Sequence, residues 1–335
     1  MARHTMLALS CAWLFSCSNV WAQPNLIEQV VPLKLYGQHL IVVRGSVGSL
    51  GKRNLVIDTG AYPSIIDRAL VKKLHLSGHA EELDAVDRTV TRPAVVVPSV
   101  DVGPIHVTAV RTLVDDLSAA SERFGVRIDA LIGLDVLSHS SFRIDYETKQ
   151  IFFGVVDPLP SSVPFEIAGS MICVDLRAGG RSLRLLVDTG AENVLLLGPR
   201  VSWLSAVPRR TREFTNLGGN FRLREISLDG LQLGDTNVAG QPVFVSDAAD
   251  MPAYPFDGFL STARFRQIAF DFERRRFSWM TSDSRRNQIH VAADAPTSPA
   301  YVATLEDGIL KSGSTAARED RCGDQSAESE SCGTR

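Results

Sequence analysis

Residues 54–66 read NLVIDTGAYPSII, and residues 183–197 read LRLLVDTGAENVLLL. In each, one acidic residue, Asp58 or Asp188, stands between apolar runs with the composition of core strands. A carboxylate in such a setting is costly unless its surroundings hold it or its chemistry needs it. A single Asp-Thr-Gly suits an ordinary turn; two copies, with Asp58 and Asp188 130 positions apart, make a constellation. A strand that ends in Asp-Thr-Gly and returns as another strand presents its Asp at the tip of a tight loop. Gly60 and Gly190 permit the sharp backbone, and Thr59 and Thr189 have hydroxyls able to bond across to the partner loop. If the tips meet, two carboxylates that close share a proton and titrate as a pair. One then acts as general base on a water while its protonated partner polarises a carbonyl.

The elements around these tips repeat too. VDVGPIHV (100–107) corresponds to LQLGDTNV (231–238), with Gly103 and Gly234 131 positions apart, and each reads as a β-hairpin. DALIGLDVLSHSSFRIDYETKQIFF (129–153) resembles DGFLSTARFRQIAFDFERRRFSW (257–279), with Asp145 and Asp271 126 apart. Both copies close with strand, charged turn, strand. The chain is therefore a tandem duplication of a mostly-β unit of about 120 residues. DPLPSSVP (157–164) supplies a linker between the halves. The expected organisation is a signal peptide over 1–22, a first lobe over 23–158, a second over 159–281, and a polar tail over 282–335 with little apolar periodicity.

Paired apolar-apolar-Asp-Thr-Gly-Ala segments, each followed by an apolar-apolar-Gly element, resemble the aspartic peptidases. Ala61 and Ala191 after the glycines resemble the retropepsin-like branch and its bacterial members, while two lobes in one chain resemble pepsin in organisation. The resemblance covers about residues 30–280. It implies an all-β fold with few short helices, two pseudo-twofold-related lobes around one cleft, and a flap over that cleft. It also implies water-activated attack on peptide bonds, a peptide or protein substrate and no cofactor. The catalytic residues it assigns are Asp58 and Asp188, with Thr59, Gly60, Ala61, Thr189, Gly190 and Ala191 supporting the dyad loops. Gly133, in LIG (131–133), matches the downstream glycine; the second copy reads FLS, so Ser261 replaces it and is expected to tilt the loop beneath Asp188. No Tyr occurs between Asp67 and Ser99 to serve as a pepsin-type flap residue. The flap candidates are the stretches around Asp84–Val97 and Asn216–Leu223, with Gly218 and Gly219 as a mobile tip. Alanine offers the carboxylates no hydroxyl, which predicts a mildly acidic to neutral optimum rather than a strongly acidic one.

Bulk properties narrow the alternatives. Across 335 residues, 44% are apolar and 22% charged, an ordinary globular composition. The net charge of −3 makes no electrostatic case for nucleic acid or an anionic membrane. Arg3 and His4 precede an apolar run from Met6 to Phe15, and NVWA follows, which matches a secretory signal cleaved after Ala22. That run is short for a membrane span. Bulky Phe15 before Cys17 makes a poor lipid-anchoring site, so a secreted or periplasmic protein is expected, with no membrane span. Having both halves in one chain, it is expected to be a monomer. Cys173 lies in the strand-like MICVDL and reads as a core thiol, whereas Cys322 and Cys332 are close enough in the tail to pair.

No His or Cys spacing suggests a metal site. His75 and His79 are four apart on a possible short helix but lack an accompanying acid, so a surface pair is expected. GSVGSLGK (45–52) has Ser46 where a phosphate loop needs glycine and reads as a hairpin. Asp145 and Asp271 read as strand or turn positions. Two rivals to an exported aspartic endopeptidase are a pseudo-peptidase that binds extended peptides without cutting them and an envelope scaffold. The second leaves the symmetric acids unexplained.

Overall fold

The structure, a computed structural model, describes residues 29–85, 88–204, 207–216, 219–228, 230–238, 240, 242–246, 253–281 and 301–302. Residues 1–22, expected to be a signal peptide, lie outside the described residues with Cys322, Cys332 and Gly218, as does the tail apart from Tyr301–Val302.

Apolar runs of four to eight residues punctuated by glycine turns fold as strands, and the chain is mainly β with three short α-helices among the described residues. In the first half, Leu40–Val47 and Leu50–Ile57 form an antiparallel hairpin that turns at Gly48, whose φ of +55° suits glycine. Its second strand buries Leu55, Val56 and Ile57 and ends at Asp58. The return strand, Ile65–Asp67, runs on the far side of Ala130–Ile132. That short strand pairs parallel with the first (Leu55↔Ala130, Ile57↔Ile132) and antiparallel with the second (Ile65↔Leu131).

The second half repeats this weave. Arg181–Asp188 pairs parallel with Gly258–Ser261 (Leu185↔Gly258, Val187↔Leu260), and Val194–Leu197 pairs antiparallel with it (Leu195↔Phe259). Leu55 to Leu185 is a step of 130 and Ala130 to Gly258 a step of 128, so each rung of the first parallel ladder has its twin in the second, which adds Asp188↔Ser261. Both 100–107 and 231–238 form hairpins, turning at Gly103 and Gly234, and 45–52 is a hairpin turn.

Six neighbouring strands at one end of a 13-stranded sheet join the halves. Gln29–Tyr36, Gln150–Phe153 and Phe142–Asp145 come from the first; Phe265–Asp271, Arg276–Thr281 and Ser161–Pro164 come from the second. The central rungs are Phe142↔Phe270, Arg143↔Ala269 and Ile144↔Ile268. Arg143 and Ala269 each stand two before their half's Asp, so the ladder reads the same from either side. A pseudo-twofold axis passes through that rung. Further out, Pro32↔Gln150 is mirrored by Pro164↔Arg276. Aromatic rings fill the seam: Phe142 and Phe270 lie 4.9 Å apart between centroids, with Phe277 and Trp279 stacked beside them. Burying each such ring stabilises the junction by about 2–3 kcal/mol. One continuous core runs from Leu33 to Trp279, so the lobes share an interior.

Two long hairpins follow the return strands: Gly78–Ala85 with Arg88–Val102, and Val207–Asn216 with Gly219–Ser227. They hold the flap candidates. Gly219 opens its strand opposite Asn216, and Tyr301–Val302 lies parallel beside Thr215 and Asn216. One local expectation needs correcting. The helix Arg68–Lys73 ends before His75, which takes a positive φ of 53°, and His79 lies on the following strand against Glu81. The two histidines therefore share no helix face.

Candidate active site

Asp58 and Asp188 sit at the ends of equivalent strands and are 1% and 0% exposed. Four hydrogen bonds stitch the two loops together. The Thr59 amide donates to Thr189 Oγ1 (2.9 Å), and the Thr189 amide donates to Thr59 Oγ1 (3.1 Å). Each hydroxyl in turn donates to the strand before the other Asp: Thr59 to the Val187 carbonyl (2.7 Å) and Thr189 to the Ile57 carbonyl (2.9 Å). Threonine supplies both a donor and an acceptor at one atom, which this reciprocal lock requires.

The glycines are needed for space. A Cβ on Gly60 would lie 2.5 Å from Asp188 Cγ, and one on Gly190 would lie 2.8 Å from Asp58 Cγ. Each carboxyl is packed over the other loop's glycine, which sets the two side by side.

Burial pushes both carboxyls up. Asp58 stands well above the usual carboxylate range, raised further by the charge of Asp188 beside it. Asp188 is pushed up to about 6, chiefly by burial, against the pull of two amides. Gly190 and Ala191 donate to Asp188 Oδ1 at 2.7 and 3.0 Å, whereas Asp58 Oδ1 receives Gly60 alone, at 2.9 Å. Asp188 Oδ2 is buried and receives no donor from the backbone or a neutral side chain. A proton shared with Asp58 would satisfy it, so the pair holds one proton over a pH range where ordinary carboxylates are ionised.

The two lobes support their loops by different chemistry. In the first, the Leu134 amide donates to the Ala61 carbonyl (3.0 Å), and a Cβ on Gly133 would meet that carbonyl at 2.2 Å. Ser64 donates through its hydroxyl and amide to Asp135, while its Oγ accepts the Gly133 amide. In the second, Ser261 occupies the rung equivalent to Gly133 and is fully buried. Its hydroxyl donates to the Ala191 carbonyl (2.8 Å) and accepts from the Ala263 amide (3.2 Å). The serine therefore holds the same carbonyl position that the Leu134 amide holds in the first lobe.

Several residues at the site carried no sequence signal. Ser64, Asp135, Tyr146 and Thr262 are singled out by no motif. Tyr146 crosses from the first lobe so that its hydroxyl shares a 2.7 Å hydrogen bond with Thr262 Oγ1. Beside the second loop, Glu192 faces Arg123 of the first lobe at 3.9 Å, near buried His39, whose ring burial pushes down.

Asp145 and Asp271 are not part of the site. Asp145 is buried, accepting the Glu147 and Thr148 amides and Gln267 Nε2 across the lobe junction, and Asp271 accepts from Arg274. Among the described residues no three His, Cys, Asp or Glu side chains cluster to hold a metal, and no helix is long and apolar enough to cross a membrane.

Residues 43–136, which carry the first tip and its supporting loop, match the family model described as aspartyl protease. This match supports a peptidase. No curated protein matches the chain.

Proposed function

We propose that the chain is an exported aspartic endopeptidase of the single-chain, duplicated retropepsin-like type, with Asp58 and Asp188 as its catalytic pair. The observation that carries this is the proton-sharing pair, locked by the reciprocal threonine bonds and crowded by two obligatory glycines. Two buried carboxyls, each packed against the other's loop, match what water-activated peptide hydrolysis needs. One carboxylate takes a proton from the attacking water, and the protonated partner donates a hydrogen bond to the scissile carbonyl. The tetrahedral adduct then collapses as the carboxyl that took the water's proton passes it to the leaving nitrogen, the C–N bond breaks, and any proton passed to the carbonyl oxygen returns to the partner carboxyl. Neither carboxylate forms a covalent bond to substrate.

The hairpins at 78–102 and 207–227 are assigned as the flaps, by their equivalent positions after each return strand. The upward displacement of both acids supports a mildly acidic to neutral optimum. Secretion or periplasmic residence rests on the segment 1–22, and a monomeric state on both tips being present in one chain. The rival reading as a peptide binder drew on Ser261; its hydroxyl bond to Ala191 removes that motive.

The test is cleavage of a random peptide mixture by the chain from Gln23 onward, between pH 3 and 8, beside Asp58→Asn and Asp188→Asn. Cleavage by wild type, with both variants at least 1,000-fold slower (order of magnitude for a residue of a catalytic unit), is the expected outcome. Binding of peptides without cleavage at any pH would replace this reading with the binder.

A further inference from the structure

The two halves differ most, for positions so close to the pair, at one polar contact. Tyr146 follows Asp145, and by the repeat its twin is Phe272, which follows Asp271. Its partner Thr262 follows Ser261 and has Leu134 as its twin. A hydroxyl pair that bridges the halves therefore stands where the twofold-related positions, Phe272 and Leu134, carry apolar side chains. The contact is part-buried, with Thr262 fully enclosed, and spans the lobes, joining residues 116 positions apart at 2.7 Å. It also abuts the Ser261 bond to the Ala191 carbonyl, and Ala191 in turn donates its amide to Asp188.

We propose that Tyr146, Thr262 and Ser261 are positioning residues that act through the Asp188 loop, making Asp188 the member of the pair that carries the negative charge and Asp58 the member that carries the proton. The chain of contacts runs Tyr146 to Thr262, along the backbone to Ser261, and through its hydroxyl to Ala191. Fixing the Ala191 carbonyl fixes the peptide on which the loop turns, and so keeps the amides of Gly190 and Ala191 aimed at Asp188 Oδ1. Asp58 receives one amide only, and the Ala61 carbonyl of its loop is held by the Leu134 amide rather than by a side-chain hydroxyl. Two amides against one favour charge on Asp188. The ionisable groups that bear on the pair among the described residues are the two aspartates themselves and Tyr146. Tyr146 stays neutral, because burial and the nearby Asp188 charge both push its hydroxyl up. In the catalytic step Asp188 is then the base toward water and Asp58 the donor toward the carbonyl. This assignment rests on the peptidase reading, whereas the placement of charge does not.

The experiment is Tyr146→Phe beside Ser261→Ala, read in two ways. Phenylalanine already fills the twin position, so the fold tolerates it there. Carboxyl ¹³C resonances of Asp58 and Asp188, followed by NMR titration, report the charge without any need for activity. Asp188 should take the lower step in wild type. In both variants that step should rise by about 0.5–1 pH unit, since one hydrogen bond is worth about 1 kcal/mol and a pH unit 1.36. The acid limb of kcat/KM should move the same way, with kcat lowered about 3–10-fold and KM unchanged. Titrations and profiles that superimpose on wild type in folded variants, or Asp58 taking the lower step, would overturn the proposal. If wild type cleaves nothing, the peptidase reading fails while the titration still decides the placement of charge.

Discussion

Replacing Thr59 by valine removes one oxygen and leaves the side-chain shape. Thr59 Oγ1 donates to the Val187 carbonyl and accepts the Thr189 amide, in a site with no solvent exposure. Valine makes no cavity, so the cost is that of stranding two buried polar groups, about 1–3 kcal/mol each. The variant should lose about 2–6 kcal/mol, a large fraction of the 5–15 kcal/mol typical of a whole domain. Thr59→Ser keeps the hydroxyl and loses a methyl, at about 1 kcal/mol. Urea unfolding of wild type and both variants, followed by fluorescence of the buried Trp279, measures this directly. The midpoint should fall steeply for valine and slightly for serine. A valine variant within 1 kcal/mol of wild type, or a serine variant equally damaged, would refute the claim that the reciprocal bonds hold the tips together.

Gly60→Ala places a carbon 2.5 Å from Asp188 Cγ, where about 3.5 Å is the closest comfortable approach, so the pair opens by about 1 Å. Peptide cleavage should fall about 100-fold at unchanged secondary structure, as circular dichroism beside kinetics will show. Gly133→Ala drives a carbon into the Ala61 carbonyl at 2.2 Å and should destabilise by about 3 kcal/mol, whereas Ser261→Gly loses two hydrogen bonds without a clash and should cost about 2 kcal/mol; chemical denaturation ranks them. Stability should also depend on pH through the pair. The folded chain binds more protons than the unfolded one from the ordinary carboxylate value up through about 6, where Asp188 ionises, and beyond it through Asp58, so the pair's contribution falls as pH rises across that window. The double variant Asp58→Asn/Asp188→Asn should lack that slope, and melting temperatures from pH 4 to 7 for both chains test the difference.

What could be read in the chain was whatever the duplication wrote twice. The strands around Leu55 and Leu185, the hairpins at Gly103 and Gly234 and the closing strands at Asp145 and Asp271 recur in register, and repetition lifts a short apolar run above chance. The cross-loop chemistry of Thr59 and Thr189 was legible because one residue type has both roles at one atom. What the halves do not share was silent. Ser64 reaches Asp135 over 71 positions and Tyr146 reaches Thr262 over 116, and no local period links such pairs. The replacement of glycine by Ser261 was visible, but its direction was not, since a side chain there fits only because the Ala191 carbonyl accepts its hydroxyl. The spacing of His75 and His79 suggested a helix because four-residue intervals do; the chain leaves the helix at Lys73 and turns left-handed at His75.

The ladder between Phe142–Asp145 and Phe265–Asp271 has a consequence for ancestry and for dissection. Its central rung pairs equivalent positions, so each half presents an edge complementary to its own twin. A freed first half would expose Phe142, Arg143 and Ile144 along an unpaired strand, and a second copy of the same half offers the partner that edge accepts. Cutting the gene within 157–164 should therefore yield fragments that self-associate, and mixing them becomes a competition between homotypic and heterotypic pairing. The fused chain escapes that competition, because its partner is always tethered at high local concentration.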